Sequence, residues 1–334
     1  AGAASISAPK VQELLDEELE AWLARAGAAN PAGISVDVRV IEGRPVSAGL
    51  ATLTEAVELP WTIGSVDAAP FEAWLASDAP KIFHDAKPQV RAIRRAGLEM
   101  RGLAFDTLIA GWLRNPLLPD KSLADLVDRF LGETLPQGDP NQLVPETEDA
   151  SPALHAWFAL RVADELRADL DEGSLRVLTD IEMPTLMALA DMELAGVTVS
   201  HEQLSAFSAE LAERSADLAS RAYEVIGREV NLGSPKQLQE VLFDQLDMPK
   251  TRATKTGHST DAAELVKLQD TNPHPFLDLL LQHREATKLR QIIETLDAAI
   301  GADKRVHTTY VQTGSTTGRI SSTDPNLQNI PVRT

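Results

Sequence analysis

The heptapeptide Ile34-Ser-Val-Asp-Val-Arg-Val40 alternates apolar and polar residues without a break. Successive side chains of a strand point to opposite faces, so this period of two marks a strand with one face buried. Strand-like runs follow at 48–53 and 59–63, and runs of helical character at 70–77, 86–96, 106–114 and 122–131. Strands followed by helices build a layer of helices on a sheet, so the first part of the chain reads as an α/β or α+β domain. Ahead of it, residues 11–26 read as a short amphipathic helix with Leu14, Leu15, Trp22 and Leu23 toward one side.

From about Leu175 the character changes to long helices. Ser200 and Gln203 form a capping box, in which the serine hydroxyl accepts from an amide at the helix start. The helix they open carries Leu204, Phe207, Leu211, Leu218 and Val225 at helical spacing and stops at Gly227. A helix at 182–194 precedes it, and the simplest expectation is that the two pack antiparallel on one apolar seam. Ser234-Pro-Lys-Gln237 is a second box, with proline at the first helical position. A last long helix is expected over 276–300, with Ala286, Leu289, Ile293, Leu296 and Ile300 on its apolar side and Arg284, Lys288 and Gln291 on another face. Residues 251–259 read as a basic, mobile tip, and 137–152, with three prolines and many carboxylates, as an exposed acidic loop.

The 334 residues suffice for two or three domains at about 150 residues each. The absence of cysteine excludes a disulfide framework, a thiolate metal site and a cysteine nucleophile, and it fits a reducing, cytosolic compartment. No apolar run approaches the roughly 18 residues of a membrane span. Phosphate-loop, Rossmann and His-Glu-x-x-His patterns are absent, and the seven histidines show no ligand spacing. The net charge of −19 argues against a polyanionic partner for the chain as a whole. It is unevenly placed: residues 1–229 carry 19 Lys and Arg against 38 Asp and Glu, whereas 230–334 carry twelve of each. The last third can meet an anion without a large electrostatic penalty.

That last third ends in a stretch, 310–332, rich in short hydrogen-bonding side chains: Thr316, Thr317, Ser321, Ser322, Asn326, Gln328 and Asn329, with Arg319 among them. Such groups suit sugar and phosphate oxygens and the acceptors of the minor groove. The segment STTGRISSTDPNLQNIP resembles the motif that opens the palm of the A-family DNA polymerases of the bacterial DNA polymerase I type. VNLGSPKQLQEVLF and LLLQHREATKLRQIIETL resemble the family's thumb segments, IEMPTLMALADMELAGVTVS the helix pair at the thumb base, and AGLEMRGLAFDTLIAGWL the exonuclease-like domain. The resemblance implies a ribonuclease-H-like 3′–5′ exonuclease-type domain at 29–175, preceded by a helical linker at 1–28. A mostly helical thumb with its base helices at 176–301 and the start of the palm at 302–334 complete the expected layout.

The same resemblance implies that Arg319 reaches the minor groove at the primer terminus, with Thr317, Asn326 and Gln328 beside it in the motif. It assigns Arg284 and Lys288 to the thumb's DNA contacts, and Asn231, Ser234 and Lys236 to the segment before the thumb helix. For Ser234, phosphate contact and pure capping stand as alternatives that can coexist. The exonuclease positions look degenerate. Asp37 persists, but Arg39 stands where a metal-binding glutamate is expected, Gln89 aligns with the second-motif aspartate, and Phe158 and Val162 with the third-motif tyrosine and aspartate. A guanidinium repels a divalent ion. A register shifted onto Asp85 or Asp164 is the alternative. The family's two nucleotidyl-transfer aspartates and its fingers lie beyond Thr334, so the expectation is a fragment that binds no metal itself. Mg²⁺ and deoxynucleoside triphosphates would serve the complete polymerase. The implied partners are primer–template DNA and the remainder of the polymerase, in a cytoplasmic, nucleoid-associated setting with no membrane. Two other functions stay open: an active 3′–5′ exonuclease, and a non-catalytic interaction module using the acidic loop.

Overall fold

The computed structural model describes residues 6–136 and 151–330. The chain divides into two compact units, one of residues 1–196 with 309–323, the other of residues 197–308 with 324–334. All but the last two residues of the expected acidic loop lie outside the described residues.

The first unit is a mixed six-stranded sheet covered by helices, as the α/β reading requires. It opens with β1 (Val11–Glu13), α1 (Asp16–Ala29), β2 (Ile34–Ile41), β3 (Arg44–Ala51) and β4 (Ala56–Pro60). There follow α2 (Ala69–Ala76), β5 (Lys81–Phe83), α3 (Ala86–Arg95), β6 (Leu103–Asp106), α4 (Thr107–Arg114) and α5 (Leu123–Leu131). The strand order is β1-β4-β3-β2-β5-β6. The β2–β3–β4 meander is antiparallel, and β5 and β6 extend it in parallel from β2. Ile34, Val36 and Val38 of the alternating heptapeptide are buried, while Asp37 and Arg39 keep partial exposure. The expected helix at 11–26 begins late. Val11–Glu13 pair in parallel with Ala56–Glu58, because the edge of β4 offers unpaired backbone groups that a strand satisfies and a helix cannot. Leu19, Trp22, Leu23 and Ala26 then bury the inner face of α1.

Across the sheet lies α6 (Pro152–Asp169), capped by Ser151, whose hydroxyl accepts from the Leu154 amide at 3.3 Å. Eleven of its 18 residues are buried. It rests on β3 at Gly49, where any Cβ would overlap the backbone of Pro152 and Ala153. The chain continues through α7 (Glu172–Val177), a π-helical turn at Leu178–Glu182, and α8 (Met183–Ala195). Here one expectation fails. The helix at 182–194 buries Met183, Leu186 and Ala190 in the first unit's core and lies against α3. It is not the seam partner of the helix that follows.

The second unit contains β7 (Val197–Thr198), α9 (His201–Ile226), α10 (Pro235–Gln239), β8 (Ala253–Thr254), β9 (Gly257–His258), α11 (Ala262–Thr271), α12 (Pro275–Ala298) and β10 (Arg305–Val306). The seam partner of α9 is α12. His201 meets Asp297 at 2.6 Å, Ser208 meets Glu294 at 3.2 Å and Ser215 meets Thr287 at 3.2 Å, so the helices run antiparallel. Leu211, Leu218, Ala222 and Ile226 are buried on α9, and Ala286, Ile293 and Leu296 on α12. Val225 faces solvent in place of Ile226, one residue from the expected stripe. Residues 251–259, read as a tip, form the β8–β9 hairpin.

The last described hairpin belongs to the first unit: β11 (Thr309–Val311) pairs antiparallel with β12 (Ser321–Thr323), Tyr310 opposite Ser322.

The close approach at Gly49 predicts that Gly49→Ala costs about 3 kcal/mol, since the helix cannot yield without pulling away from the sheet. All five tryptophans (Trp22, Trp61, Trp74, Trp112 and Trp157) lie in the first unit. Their fluorescence in a urea titration therefore reports the loss there. An unchanged midpoint would contradict the packing described.

Candidate nucleic-acid interface

In the second unit, Ser234 performs the capping role expected of it. Its hydroxyl accepts from the Gln237 amide at 3.4 Å, and the Gln237 side chain accepts from the Asn231 amide at 2.7 Å. Asn231 Oδ1 accepts from the Gly233 amide at 2.9 Å. Both side chains therefore shape the turn into α10, with Lys236 exposed on its first turn. On α12, Arg284 is half-buried and donates to the Thr260 carbonyl. Burial lowers its pKa from arginine's ordinary value and Asp261 opposes that. Lys288, one turn on, is exposed and lines a groove of about 270 Å³ with Gln291, Asn326 and Asn329. Asn326 Oδ1 accepts from the Gln328 amide at 2.8 Å, which orders the exposed turn carrying both residues. Arg284 and Lys288 thus differ: one guanidinium is partly committed to a backbone carbonyl, while the ammonium stands in solvent.

The first unit carries the other sequence-predicted residues. Between β11 and β12 the chain makes a loop in which residues 316–320 are all exposed. Thr317 Oγ1 lies 2.8 Å from Ser315 Oγ, and its amide donates to the same hydroxyl at 3.1 Å. Gly318 adopts φ +78°, a left-handed conformation that favours glycine. Arg319 follows it with its side chain in solvent. Sequence reasoning missed the residue beneath this loop. Trp112 of α4, 5% exposed, donates its indole N–H to the Ser315 carbonyl at 2.9 Å. Its indole NH acts more than 200 positions away along the chain, which leaves no local signal to read.

The positions that the resemblance assigns to the nuclease motifs are engaged by protein groups. Arg39 Nε lies 3.1 Å from Asp37 Oδ2, so the Asp37 carboxylate faces a guanidinium. Burial pushes the Asp37 pKa up to about 6, against the pull of Arg39. Gln89 is 8% exposed; its amide oxygen accepts from the Val38 amide at 2.7 Å, and its amide nitrogen donates to the His84 carbonyl at 3.0 Å. It stitches α3 to β2. Phe158 and Val162 are buried and apolar on α6. Of the two alternative residues, Asp164 pairs with Arg167 at 3.3 Å, and Asp85, at the start of α3, has its pKa raised by burial while its amide donates to Asp106 at 3.3 Å. Among the described residues no group of three or more His, Asp or Glu is placed to hold a metal ion. The donors present fit a salt bridge and an amide stitch and do not fit a two-metal nuclease centre. Among the same residues no helix is long and apolar enough to cross a membrane.

Comparison with known proteins supplies the frame for these sites. Residues 201–334 match the family described as DNA polymerase family A, and residues 50–137 match the ribonuclease H-like domain of DNA polymerase I. The DNA polymerase I of Mycobacterium tuberculosis is 43% identical over 284 residues, covering 82% of this chain and 31% of that protein. That of Bacillus subtilis is 34% identical over 281 residues, covering 80% of this chain and 32% of its own length. The chain thus spans about a third of the length of these relatives. A solved structure, the POL domain of Pol1 from M. smegmatis in complex with DNA primer-template and dNTP, superposes with a TM-score of 0.86 at 37% identity, covering 97% of this chain and 56% of that one. Two family matches in tandem, with a solved relative agreeing over 97% of the chain, make residues 201–334 a DNA polymerase family A region, preceded by a ribonuclease H-like domain of the DNA polymerase I type.

Proposed function

We propose that this chain is the duplex-gripping part of a DNA-directed DNA polymerase of the DNA polymerase I type, acting in DNA replication and repair. The second unit serves as the thumb, and the hairpin bearing Arg319 as the start of the palm. The observation that carries this reading is the likeness to a polymerase domain solved with primer-template DNA, joined to the solvent exposure of Lys288, Thr317 and Arg319. Arg319 offers a guanidinium to minor-groove acceptors, Thr317 a hydroxyl to sugar or phosphate, and Lys288 and Lys236 point charges to phosphates. Arg284 acts through the Thr260 carbonyl it holds as well as through its charge. Mg²⁺ and deoxynucleoside triphosphates belong to the complete enzyme, with the remaining palm and fingers as this chain's protein partners. The setting is the cytoplasm, on the nucleoid. The ribonuclease H-like domain does not hydrolyse DNA, because Asp37 is paired with Arg39 and Gln89 is spent on backbone groups.

Duplex binding by the 334-residue chain is expected to be independent of sequence and to weaken with salt, with a log–log slope of roughly −3 to −4 for three to five neutralised phosphates. The combined Arg319→Ala, Arg284→Ala and Lys288→Ala variant should bind more weakly and with a slope shallower by about one for each lost phosphate contact. Binding by that variant equal to the parent's would end this assignment.

The nuclease site yields a second expectation, in stability. Asp37 has its pKa raised to about 6 in the fold, above its ordinary 3.8. The stability this raised pKa provides is present below pH 4 and is lost as pH rises through 6. Asp37→Asn should therefore stabilise the protein by about 1–2 kcal/mol at pH 8, a gain that disappears at pH 4. Thermal melts at the two pH values measure it. Destabilisation at pH 8, together with Mg²⁺-dependent release of mononucleotides by the parent, would restore a working nuclease.

A further inference from the structure

The β11–β12 hairpin lies within the span matched by the polymerase family, yet it packs as part of the unit built on the ribonuclease H-like sheet. Three attachments fix it there. At its first strand, the buried carboxylate of Glu193 on α8 accepts from the Tyr310 amide at 2.9 Å, and Lys87 Nζ of α3 donates to the Tyr310 carbonyl at 2.6 Å. Lys87 also pairs with Glu193, and Arg91 closes the other carboxylate oxygen at 2.8 Å. Past the strand, Gln312 Nε2 donates to the Glu182 carbonyl at 2.9 Å and to its carboxylate at 2.6 Å. In the loop, the Trp112 indole holds the Ser315 carbonyl, and a Cβ placed on Gly318 would lie 4.0 Å from the tip of the same ring. The chain from 315 to 318 is therefore draped over one tryptophan.

The attachment in the loop engages backbone and leaves the side chains of Thr316, Thr317 and Arg319 in solvent. A buried donor that fixes a carbonyl while releasing the neighbouring side chains is an arrangement for presenting those side chains at a set position. Burial of Glu193 at 2% exposure is tolerable only because two cations and an amide surround it.

We propose that the ribonuclease H-like unit, without nuclease chemistry of its own, is the mount of the Arg319 loop, and that Trp112 is a positioning residue for Arg319 acting through the Ser315 carbonyl. This rests on the reading that Arg319 contacts duplex DNA. Trp112→Phe keeps a ring in place and removes the single donor. Gly318→Ala strains the same loop through its left-handed backbone, in an exposed stretch where the fold is not at stake. Each is expected to raise hydrogen exchange of the amides at 315–320 while leaving those of α9 and α12 unchanged. Each should also weaken binding to a primer–template duplex about 3- to 10-fold, with no change in the salt slope. Combined with Arg319→Ala, Trp112→Phe should add nothing further, the signature of two residues acting as one. Exchange at 315–320 identical to the parent's in both variants would overturn the mount. So would a loss of binding by Trp112→Phe that is the same with and without Arg319, since that marks a merely structural role. If Arg319→Ala alone binds as the parent does, the duplex reading fails. The exchange data then decide separately whether Trp112 holds the loop.

Discussion

Asp106 sits at the junction from which the first unit's outer geometry is set. It is fully buried, and its carboxylate accepts from four backbone amides: Leu108 at 2.8 Å and Ile109 at 3.2 Å in α4, and Asp85 at 3.3 Å and Ala86 at 2.6 Å at the start of α3. A single side chain thus satisfies the orphan donors of two helix N-termini at once. Burial, reinforced by Asp85, pushes its pKa up to about 7, while hydrogen bonds from Ala86, Ile109 and Leu108 pull it down. The two helices it joins carry Lys87, Arg91 and Trp112. The hairpin's attachments through Lys87 and Trp112 therefore trace back through α3 and α4 to this carboxylate, while Glu193 reaches Tyr310 from α8 and Gln312 binds Glu182.

The residues that the resemblance assigns to the nuclease motifs have their charge and hydrogen bonds engaged within the protein. A metal centre needs carboxylates that converge in the absence of competing cations. Here Arg39, two residues from Asp37 on the same face of β2, supplies the competing cation from within the strand. The oxygen and nitrogen of Gln89 both have backbone partners, and Phe158 and Val162 are buried in the core.

Features encoded within a few residues were legible in the sequence, and those encoded across distance were not. The alternation at 34–40 and the boxes at Ser200 and Ser234 set a strand and two helix starts, because period and capping are local. The helix at 152–169 gave no stripe to read, since a helix buried on most of its circumference has none. The sequence of 182–194 marks a helix but not what it packs against, and the partner lies in the first unit, not on α9. Of the site residues, Arg319, Thr317 and Lys288 stand in solvent, and their selection came from resemblance rather than from periodicity. Glu193, Lys87 and Trp112 carried no motif. Their partners lie more than 100 positions away, and only the fold brings them together.

The short ladder between Val197–Thr198 and Arg305–Val306 joins the two ends of the second unit's main segment. A segment whose entrance and exit are laced side by side is a cassette: it leaves the sheet-bearing unit after Gly196 and delivers the chain back at Thr309. Lengthening, shortening or exchanging what lies between those two strands changes no connection elsewhere in the host. Evolution or an engineer can alter the reach of the helical arm while the seat of the Arg319 loop keeps its own foundations.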